Sequence, residues 1–212
     1  MDERTIVIAT VCDVLAPDRA DAAVDALRSS YPFTRTLATT RRYGPAKATR
    51  VFIRDGFDDR YTGSRVVFPP VHRAISVALP EDFPYHSNWK MDVAHPAYWE
   101  LTATIDHLVP ACRGRADDAS NWVTTSMARN SAKDNWALKD PGWSFHPPGD
   151  MLDWDGLLGW YVDYTAAHPD VLLDNSMKQW LRAALATLTY AENGSKNHYC
   201  VISVTSYRGR HA

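Results

Sequence analysis

The polar side chains that could do chemistry together lie in one central stretch, residues 98–136. They are Asp106, His107, Asn121, Asn130 and Lys133. Asp106 and Asn130 offer the hard oxygen ligands that a divalent cation prefers, and such a cation can neutralise a phosphodiester and stabilise its leaving oxygen. The neutral imidazole of His107 can take a proton from water near neutral pH. These residue types therefore indicate metal-assisted hydrolysis of a phosphodiester.

The elements that must hold these side chains are predicted in the order strand, loop, strand, helix. Residues 101–108 alternate in polarity and contain β-branched Thr and Ile, which indicates a strand, and Pro110 closes it. Residues 112–120 are charged and rich in turn formers, which is typical of a loop. A second short strand is predicted at 122–125 and a helix at 128–138.

This order brings the polar side chains to one end of the first strand. Neighbouring strand residues point to opposite faces, so Asp106 and His107 can share a site only near a strand end or a bulge. Asn121 is expected to hydrogen-bond to the loop backbone and thereby orient His107. Lys133 follows Asn130 by three positions, which places both on one helix face, and its ammonium could reach a phosphate.

The positions resemble the HNH nucleases, also called His-Me finger nucleases. The family pattern is Asp-His, a loop with glycine and acidic residues, Asn, and then Asn or His followed three residues later by Lys; the chain matches all of it. The resemblance implies an α+β fold with a ββα-metal core. It also implies His107 as the general base, Asn121 as the residue that positions it, and Asp106 and Asn130 as ligands of one Mg²⁺ or Mn²⁺ ion.

The chain departs from the family at the structural zinc. Many members carry two Cys-x-x-Cys pairs, whereas this chain has Asp59 and Thr62 at the first place and Ser126 and Arg129 at the second. A tetrahedral zinc site needs four such ligands, so no structural zinc is expected. We call these four the knuckle positions. They should still meet in space, with an ion pair between Asp59 and Arg129 and a hydrogen bond between Thr62 and Ser126.

Composition sets weaker bounds. The chain has 212 residues, 45% hydrophobic residues and a formal net charge of −2, so it can bury a core and has no global basic field. Basic residues cluster locally: Arg41, Arg42, Lys47, Arg50, Arg54 and Arg60. Arg113 and Arg115 add charge to the predicted loop, where they are expected to contact substrate phosphate. The alternative for such a run is a solvated face.

The cysteines indicate a reducing compartment. Cys12, Cys112 and Cys200 are far apart and odd in number, so no disulfide framework follows. The acidic start at Asp2 and Glu3 is unlike a signal peptide, and no apolar window is long enough for a membrane span. The sequence therefore predicts a cytoplasmic protein without a membrane partner.

The flanking segments complete a single domain over 1–212. An N-terminal strand is predicted at 5–15 and a helix at 20–27, while 34–43 is read as a strand or an extended arm. A C-terminal strand at 199–207 is expected to pair with the first one.

Further elements precede and follow the core. The HNH core spans about 98–139, with a zinc-free knuckle remnant at 57–68. The proline- and aromatic-rich insertion 80–96 is either a packed loop or a binding element. Residues 150–190 form an extension of two amphipathic helices, the first capped by Asp153 and the second beginning near Asn175.

Three functions are consistent with these patterns. The first is a metal-dependent HNH endonuclease that hydrolyses DNA, of restriction or defence type, with a homodimer favoured if it cuts both strands. The second is a catalytically inactive module that binds nucleic acid or protein, suggested by the lost cysteines. The third is an RNA-cleaving toxin, because backbone hydrolysis does not read the sugar.

Overall fold

The computed structural model describes residues 3–15, 19–32, 43–110, 117–133 and 143–192, apart from the side chains of 3, 4, 173 and 188–192. The chain divides into two compact units, Met1–Ala38 and Thr39–Ala212. The motif and the knuckle positions belong to the second unit. The single domain over 1–212 stays a prediction.

The first unit contains two helices packed on each other, α1 (Glu3–Leu15) and α2 (Ala20–Ser30). The predicted helix at 20–27 is confirmed by α2, which buries Ala23. The predicted strand at 5–15 is wrong, because α1 covers it. The apolar run is longer than most strands, and β-branched residues lower helix propensity only slightly, so length is the better guide here.

The second unit is a mixture of helices and one small sheet. In chain order its elements are α3 (Pro45–Arg54), α4 (Pro69–Ala78), the short α5 (Ala97–Glu100), β1 (Ala103–His107), β2 (Trp122–Ser126), α6 (Met127–Lys133), α7 (Leu158–Ala167), a 3₁₀ helix (Pro169–Leu173) and α8 (Asn175–Glu192). The fold is therefore of the α+β class.

The sheet consists of β1 and β2, which pair antiparallel. Asp106 lies opposite Val123, and His107 lies opposite Trp122. Helix α6 begins directly after β2 and contacts both strands. The predicted order of strand, loop, strand and helix is thus present, while the helix expected to reach residue 138 is described only as far as Lys133.

The core lies between the sheet and the C-terminal helices. Helix α3 packs against α8, where the ring of Phe52 stacks on Trp180 at a centroid distance of 6.4 Å. Phe68 meets the same indole edge-on at 5.3 Å. Met177 and Ala184 of α8 are buried, so the apolar stripe predicted on this helix belongs to the core.

The first C-terminal helix starts later than predicted. The carboxylate of Asp155, not that of Asp153, accepts hydrogen bonds from the backbone N–H groups of Leu157 and Gly159. Gly156 and Leu157 both have positive φ angles, of 66° and 64°, so the chain turns there before α7 can begin. The second helix begins at Asn175, as predicted.

Two predicted segments lie outside the described residues: nearly all of 34–43, and all of 199–207. The proposed pairing of 199–207 with 5–15 is nevertheless wrong, because the latter is helical. Among the described helices, none combines the length and the apolarity needed to cross a membrane.

Candidate active site at the end of β1

The polar residues of the motif gather where β1 ends and β2 begins. Asn121 holds the chain together at this point: its side-chain oxygen accepts a hydrogen bond from the Val109 N–H at 3.0 Å, and its amide donates to the Val109 carbonyl at 2.8 Å. The Asn121 carbonyl also accepts from the Leu108 N–H. Asn121 therefore fixes the loop backbone directly after His107.

His107 is held by a carboxylate that the sequence analysis did not single out. Its Nε2 lies 2.8 Å from Oδ1 of Asp117. The indole N–H of Trp122 lies 2.8 Å from the same oxygen and 3.1 Å from Nε2. Because an ionised carboxylate only accepts, the short contact to Asp117 places the imidazole proton on Nε2, and the indole N–H donates to the same carboxylate oxygen.

The other ring nitrogen of His107 is left open. His107 is 2% exposed, and its buried Nδ1 has no hydrogen-bond partner in the structure. Buried polar atoms are nearly always paired, so an unpaired one calls for an explanation. With the proton on Nε2, Nδ1 carries the lone pair that a general base needs.

Asp117 could have been suspected from the sequence only weakly. It belongs to the acidic pair Asp117-Asp118 in a loop of turn formers, where a carboxylate is usually solvated. Asp118 is such a case, since its Oδ1 accepts from the N–H and hydroxyl of Ser120. The position of Asp117 beside His107 depends on how the loop folds back against β2.

The Asp106 carboxylate is buried and has two donors on one oxygen. The Tyr61 hydroxyl donates to its Oδ2 at 2.6 Å, and the Lys133 ammonium lies 2.8 Å from the same atom. Burial and the neighbouring Asp106 charge raise the pKa of Tyr61 far above its usual range, so this phenol stays a donor. Oδ1 of Asp106 makes no hydrogen bond to any described residue.

The Lys133 ammonium is directed at the end of β1, and its contact with a substrate phosphate stays a prediction. Its side chain is fully buried, and its Nζ donates to the His107 carbonyl at 2.7 Å as well as contacting Asp106. A buried ammonium is costly unless an anion and further acceptors surround it, and the end of β1 supplies both. Lys133 therefore joins α6 to the last two residues of β1.

Asn130 lies on the same face of α6 as Lys133, one turn earlier. Its side-chain amide donates to the Ile105 carbonyl at 3.1 Å and to the Thr104 hydroxyl at 3.2 Å. Its Oδ1 is left without a hydrogen bond to any described residue. Asn130 is therefore held against β1 at Thr104 and Ile105, the two positions before Asp106.

The donor set fits a weakly held hard cation. Oδ1 of Asp106 and Oδ1 of Asn130 are oxygen donors, and Mg²⁺ commonly takes one or two protein oxygens and completes its shell with water and phosphate. The described residues contain no group of three or more His, Cys, Asp or Glu side chains arranged for a metal. Binding of a metal ion by the Asp106 and Asn130 oxygens stays a prediction.

The knuckle positions come together around a separate cavity. Asp59, Thr62, Ser126 and Arg129 all line it, and its volume is about 470 Å³. The Asp59 carboxylate accepts three hydrogen bonds, from the Tyr61 N–H at 2.9 Å, the Thr125 hydroxyl at 3.0 Å and the Ser126 N–H at 2.9 Å. This carboxylate joins the turn at 59–64 to the end of β2.

The contacts proposed to replace the zinc are wrong in detail. Asp59 and Arg129, both described, form no ion pair; the Arg129 guanidinium lies 4.7 Å from the centroid of the Trp143 ring. Thr62 accepts from the Ser64 N–H, and Ser126 accepts from the Arg129 N–H, so these hydroxyls do not bond to each other. The Asp59 carboxylate is hydrogen-bonded by nearby donors, two of them backbone N–H groups, and not by the Arg129 guanidinium.

Arg113 and Arg115, the predicted phosphate contacts, lie outside the described residues. Comparisons with protein-family models, with curated proteins and with solved structures found no match to this chain.

Proposed function

We propose that the chain is a metal-dependent HNH endonuclease that hydrolyses DNA phosphodiester bonds. One observation carries the proposal. His107 is oriented through Nε2 by Asp117, and its buried Nδ1 is unpaired. A core histidine with a purely structural role would have no reason to keep an orienting carboxylate on one nitrogen and an open lone pair on the other.

In this proposal Nδ1 of His107 takes a proton from the attacking water. The Asp117 carboxylate keeps the ring in the required tautomer and stabilises the imidazolium that forms. Asn121 holds the backbone around His107 in place. Because the ring is nearly inaccessible, the proposal requires that bound DNA bring a water molecule into contact with Nδ1.

Asp106 and Asn130 would hold the divalent ion through their open oxygens. The ion, when bound, neutralises the scissile phosphate and stabilises the departing 3′ oxygen. Lys133 keeps the Asp106 side chain in one orientation through Oδ2, which leaves Oδ1 for the ion. The resemblance to HNH nucleases implies products with a 5′ phosphate and a 3′ hydroxyl.

Nicking of supercoiled plasmid DNA tests the proposal. The wild type is incubated at low salt with Mg²⁺, with Mn²⁺ and with a chelator, because phosphate-driven binding falls steeply with salt. We expect metal-dependent nicking that His107→Ala reduces by a factor of about 10² to 10⁴. His168→Ala, at an exposed helix end, is the matched control and should nick like the wild type.

Nicking that survives in His107→Ala would overturn the assignment of the base. RNA of matched sequence, run in parallel, separates a DNA nuclease from an RNA-cleaving toxin.

A second candidate, a module that binds nucleic acid without cutting it, is favoured by one contact. The Lys133 ammonium already provides a cation at 2.8 Å from Asp106, so this carboxylate is neutralised without a metal. Retention of plasmid in a gel shift, together with no nicking under any metal condition, would favour this candidate over the nuclease.

A further inference from the structure

A second cavity, of about 350 Å³, is lined by Met127 and Asn130 of α6, whereas the cavity at the knuckle positions is lined by Ala128, Arg129 and Ala132 of the same helix. We call it the aromatic cavity, because tyrosine and tryptophan side chains form much of its wall. Those from the insertion and its surroundings are Tyr43, Tyr85, Trp89 and Tyr98. Its volume falls within the range of small-molecule sites in proteins.

The insertion 80–96 is a packed element that builds one wall of this cavity. Tyr98 is buried at its centre, with the rings of Tyr85 and Trp89 at centroid distances of 5.5 and 5.6 Å. The Tyr98 hydroxyl is fixed by Ser76 at 2.7 Å. The wall is therefore organised before any ligand arrives, which lowers the entropic cost of binding.

Trp89 is held in a conformation that bulky side chains rarely adopt. Its φ angle is 48°, in the left-handed region, where a residue with a large side chain is strained. Two hydrogen bonds maintain it: its N–H donates to the His86 carbonyl, and its carbonyl accepts from the Trp99 indole N–H. Trp89, in this strained conformation, is one of the residues that line the aromatic cavity.

Arg73 supplies a guanidinium on the same wall. Its guanidinium carbon lies 4.2 Å from the centroid of the Tyr85 ring. Its Nε has no hydrogen-bond partner among the described residues, although it forms an ion pair with the Asp174 carboxylate at 3.7 Å. A stacked guanidinium is suited to the edge of a planar polar ring.

Asn130 connects this cavity to the candidate active site. It lines the aromatic cavity together with Thr104 and Ile105 of β1, and it is also one of the proposed ligands of the metal ion. A strand whose phosphate lies at Asp106 and Asn130 would therefore pass directly beside the aromatic wall.

We infer that the aromatic cavity binds one unpaired nucleobase of the nucleic-acid substrate. This inference rests on the proposed function for its choice of ligand. A base offers a flat face to Trp89 and Tyr85 and polar edges to the Arg73 guanidinium and the Asn130 oxygen. Stacking of a base on an aromatic side chain adds to the affinity of many single-stranded nucleic-acid sites and tolerates any base.

Binding of a fluorescein-labelled single-stranded DNA octamer, followed by anisotropy in chelator at low salt, tests the inference. The probe is compared with the same octamer carrying abasic residues at its centre. We expect the intact octamer to bind about tenfold tighter, as loss of one base–aromatic stack would predict. An RNA octamer distinguishes a base on deoxyribose from one on ribose, and tighter binding of either than of its abasic form supports the inference.

Two variants and one control assign the effect to the cavity. Trp89→Asn removes the ring and relieves the backbone strain, because asparagine tolerates the left-handed region, so folding should survive. Tyr85→Ala removes the second face. Tyr164→Ala deletes a ring that stacks on Trp160 at 4.7 Å outside the cavity and serves as control. Melting temperatures confirm that all three are folded.

In both cavity variants we expect the preference for the intact octamer to disappear while binding of the abasic octamer is unchanged. Equal binding of intact and abasic octamers by the wild type, or a preference that survives in Trp89→Asn and Tyr85→Ala, would overturn the inference. Base-dependent binding without any nicking would instead contradict the proposed function alone. Nicking without base-dependent binding would contradict the inference about the aromatic cavity and leave the proposed function standing.

Discussion

A buried histidine lies at each end of β1, His72 of α4 at the start and His107 of β1 itself at the end, and the two differ in how their nitrogens are paired. At the start, Nδ1 of His72 lies 2.8 Å from the hydroxyl of Thr102, the residue before β1. The aromatic rings of Phe83 and Tyr98 surround it. At the end, Nε2 of His107 is bonded to Asp117, and Nδ1 is unpaired.

This difference separates a ring bonded to a neutral hydroxyl from a ring whose open nitrogen fits the base that we propose. Burial alone does not distinguish the two, since His72 is 3% exposed and His107 is 2% exposed. The neighbouring charges do: no carboxylate among the described residues is bonded to His72, and burial together with the nearby His95 lowers its pKa to about 4. A neutral ring packed among aromatics has no means of accepting a proton during a reaction near pH 7.

The largest effect is expected from removing the carboxylate that makes the two ends different. Asp117→Asn should lower the plasmid nicking rate by a factor of about 10² or more, because the amide no longer enforces the tautomer with an open Nδ1. His72→Gln should leave the rate within about twofold of the wild type. A similar loss in both variants would remove the distinction between the two histidines.

A large loss of stability is expected at the same end of β1. Lys133→Met leaves the Asp106 carboxylate buried without its cation and should lower the free energy of unfolding by about 3 to 5 kcal/mol in urea titrations. Lys178→Met, on the exposed face of α8, is the control and should change stability by less than about 0.5 kcal/mol. The double variant Asp106→Leu/Lys133→Met should recover part of the loss, and no recovery would argue that Lys133 acts through packing alone.

His72, at the start of β1, should make the free energy of unfolding depend on pH. His72 stays neutral in the folded chain down to about pH 4, whereas in the unfolded chain it accepts a proton below its ordinary pKa of 6.5. Its contribution is therefore complete above pH 6.5 and is lost as pH falls toward 4, by about 2 to 3 kcal/mol. Urea titrations of wild type and His72→Gln between pH 7 and 4.5 should show a flatter profile in the variant. Parallel profiles would contradict the buried neutral ring.

The smallest effect is expected at the knuckle positions, where both carboxylate oxygens of Asp59 already accept hydrogen bonds. Asp59→Asn places an amide N–H against donors that now bond to the carboxylate, and should cost about 1 to 3 kcal/mol of unfolding free energy. Asp153→Asn, at an exposed position, is the control. The metal dependence of nicking should be unchanged in both, whereas an altered metal requirement in Asp59→Asn would move Asp59 from the scaffold to the active site.

The sequence predicted which elements carry the motif residues better than it predicted how deeply those residues are buried. The spacing from His107 to Lys133 placed two strands and a helix correctly, because short-range periodicity determines such elements. It did not reveal that Lys133 is buried, since spacing defines the face of a helix and not what covers it. Asp117 was missed for a related reason: its role depends on the path of a loop, which local residue types do not determine.

Long-range pairing was also beyond the sequence. The 5–15 run was read as a strand because its residues are β-branched, yet the packing of α1 on α2 outweighs this preference. The sequence predicted that the knuckle positions meet in space, but it predicted the wrong partner for Asp59. Three donors around one carboxylate, two of them backbone N–H groups, became visible once the turn at 59–64 and the end of β2 were seen side by side.

The hydrogen bonds of Asp59 affect how sensitive this junction is to oxidation and to the supply of zinc. A knuckle that is joined by thiolates and zinc comes apart when cysteines are oxidised or when zinc is scarce. Here a carboxylate joins the turn to β2, so neither oxidants nor zinc starvation acts on this junction. If the proposed nuclease is correct, we expect chelators to abolish nicking reversibly, with recovery on adding metal back, while the fold persists throughout.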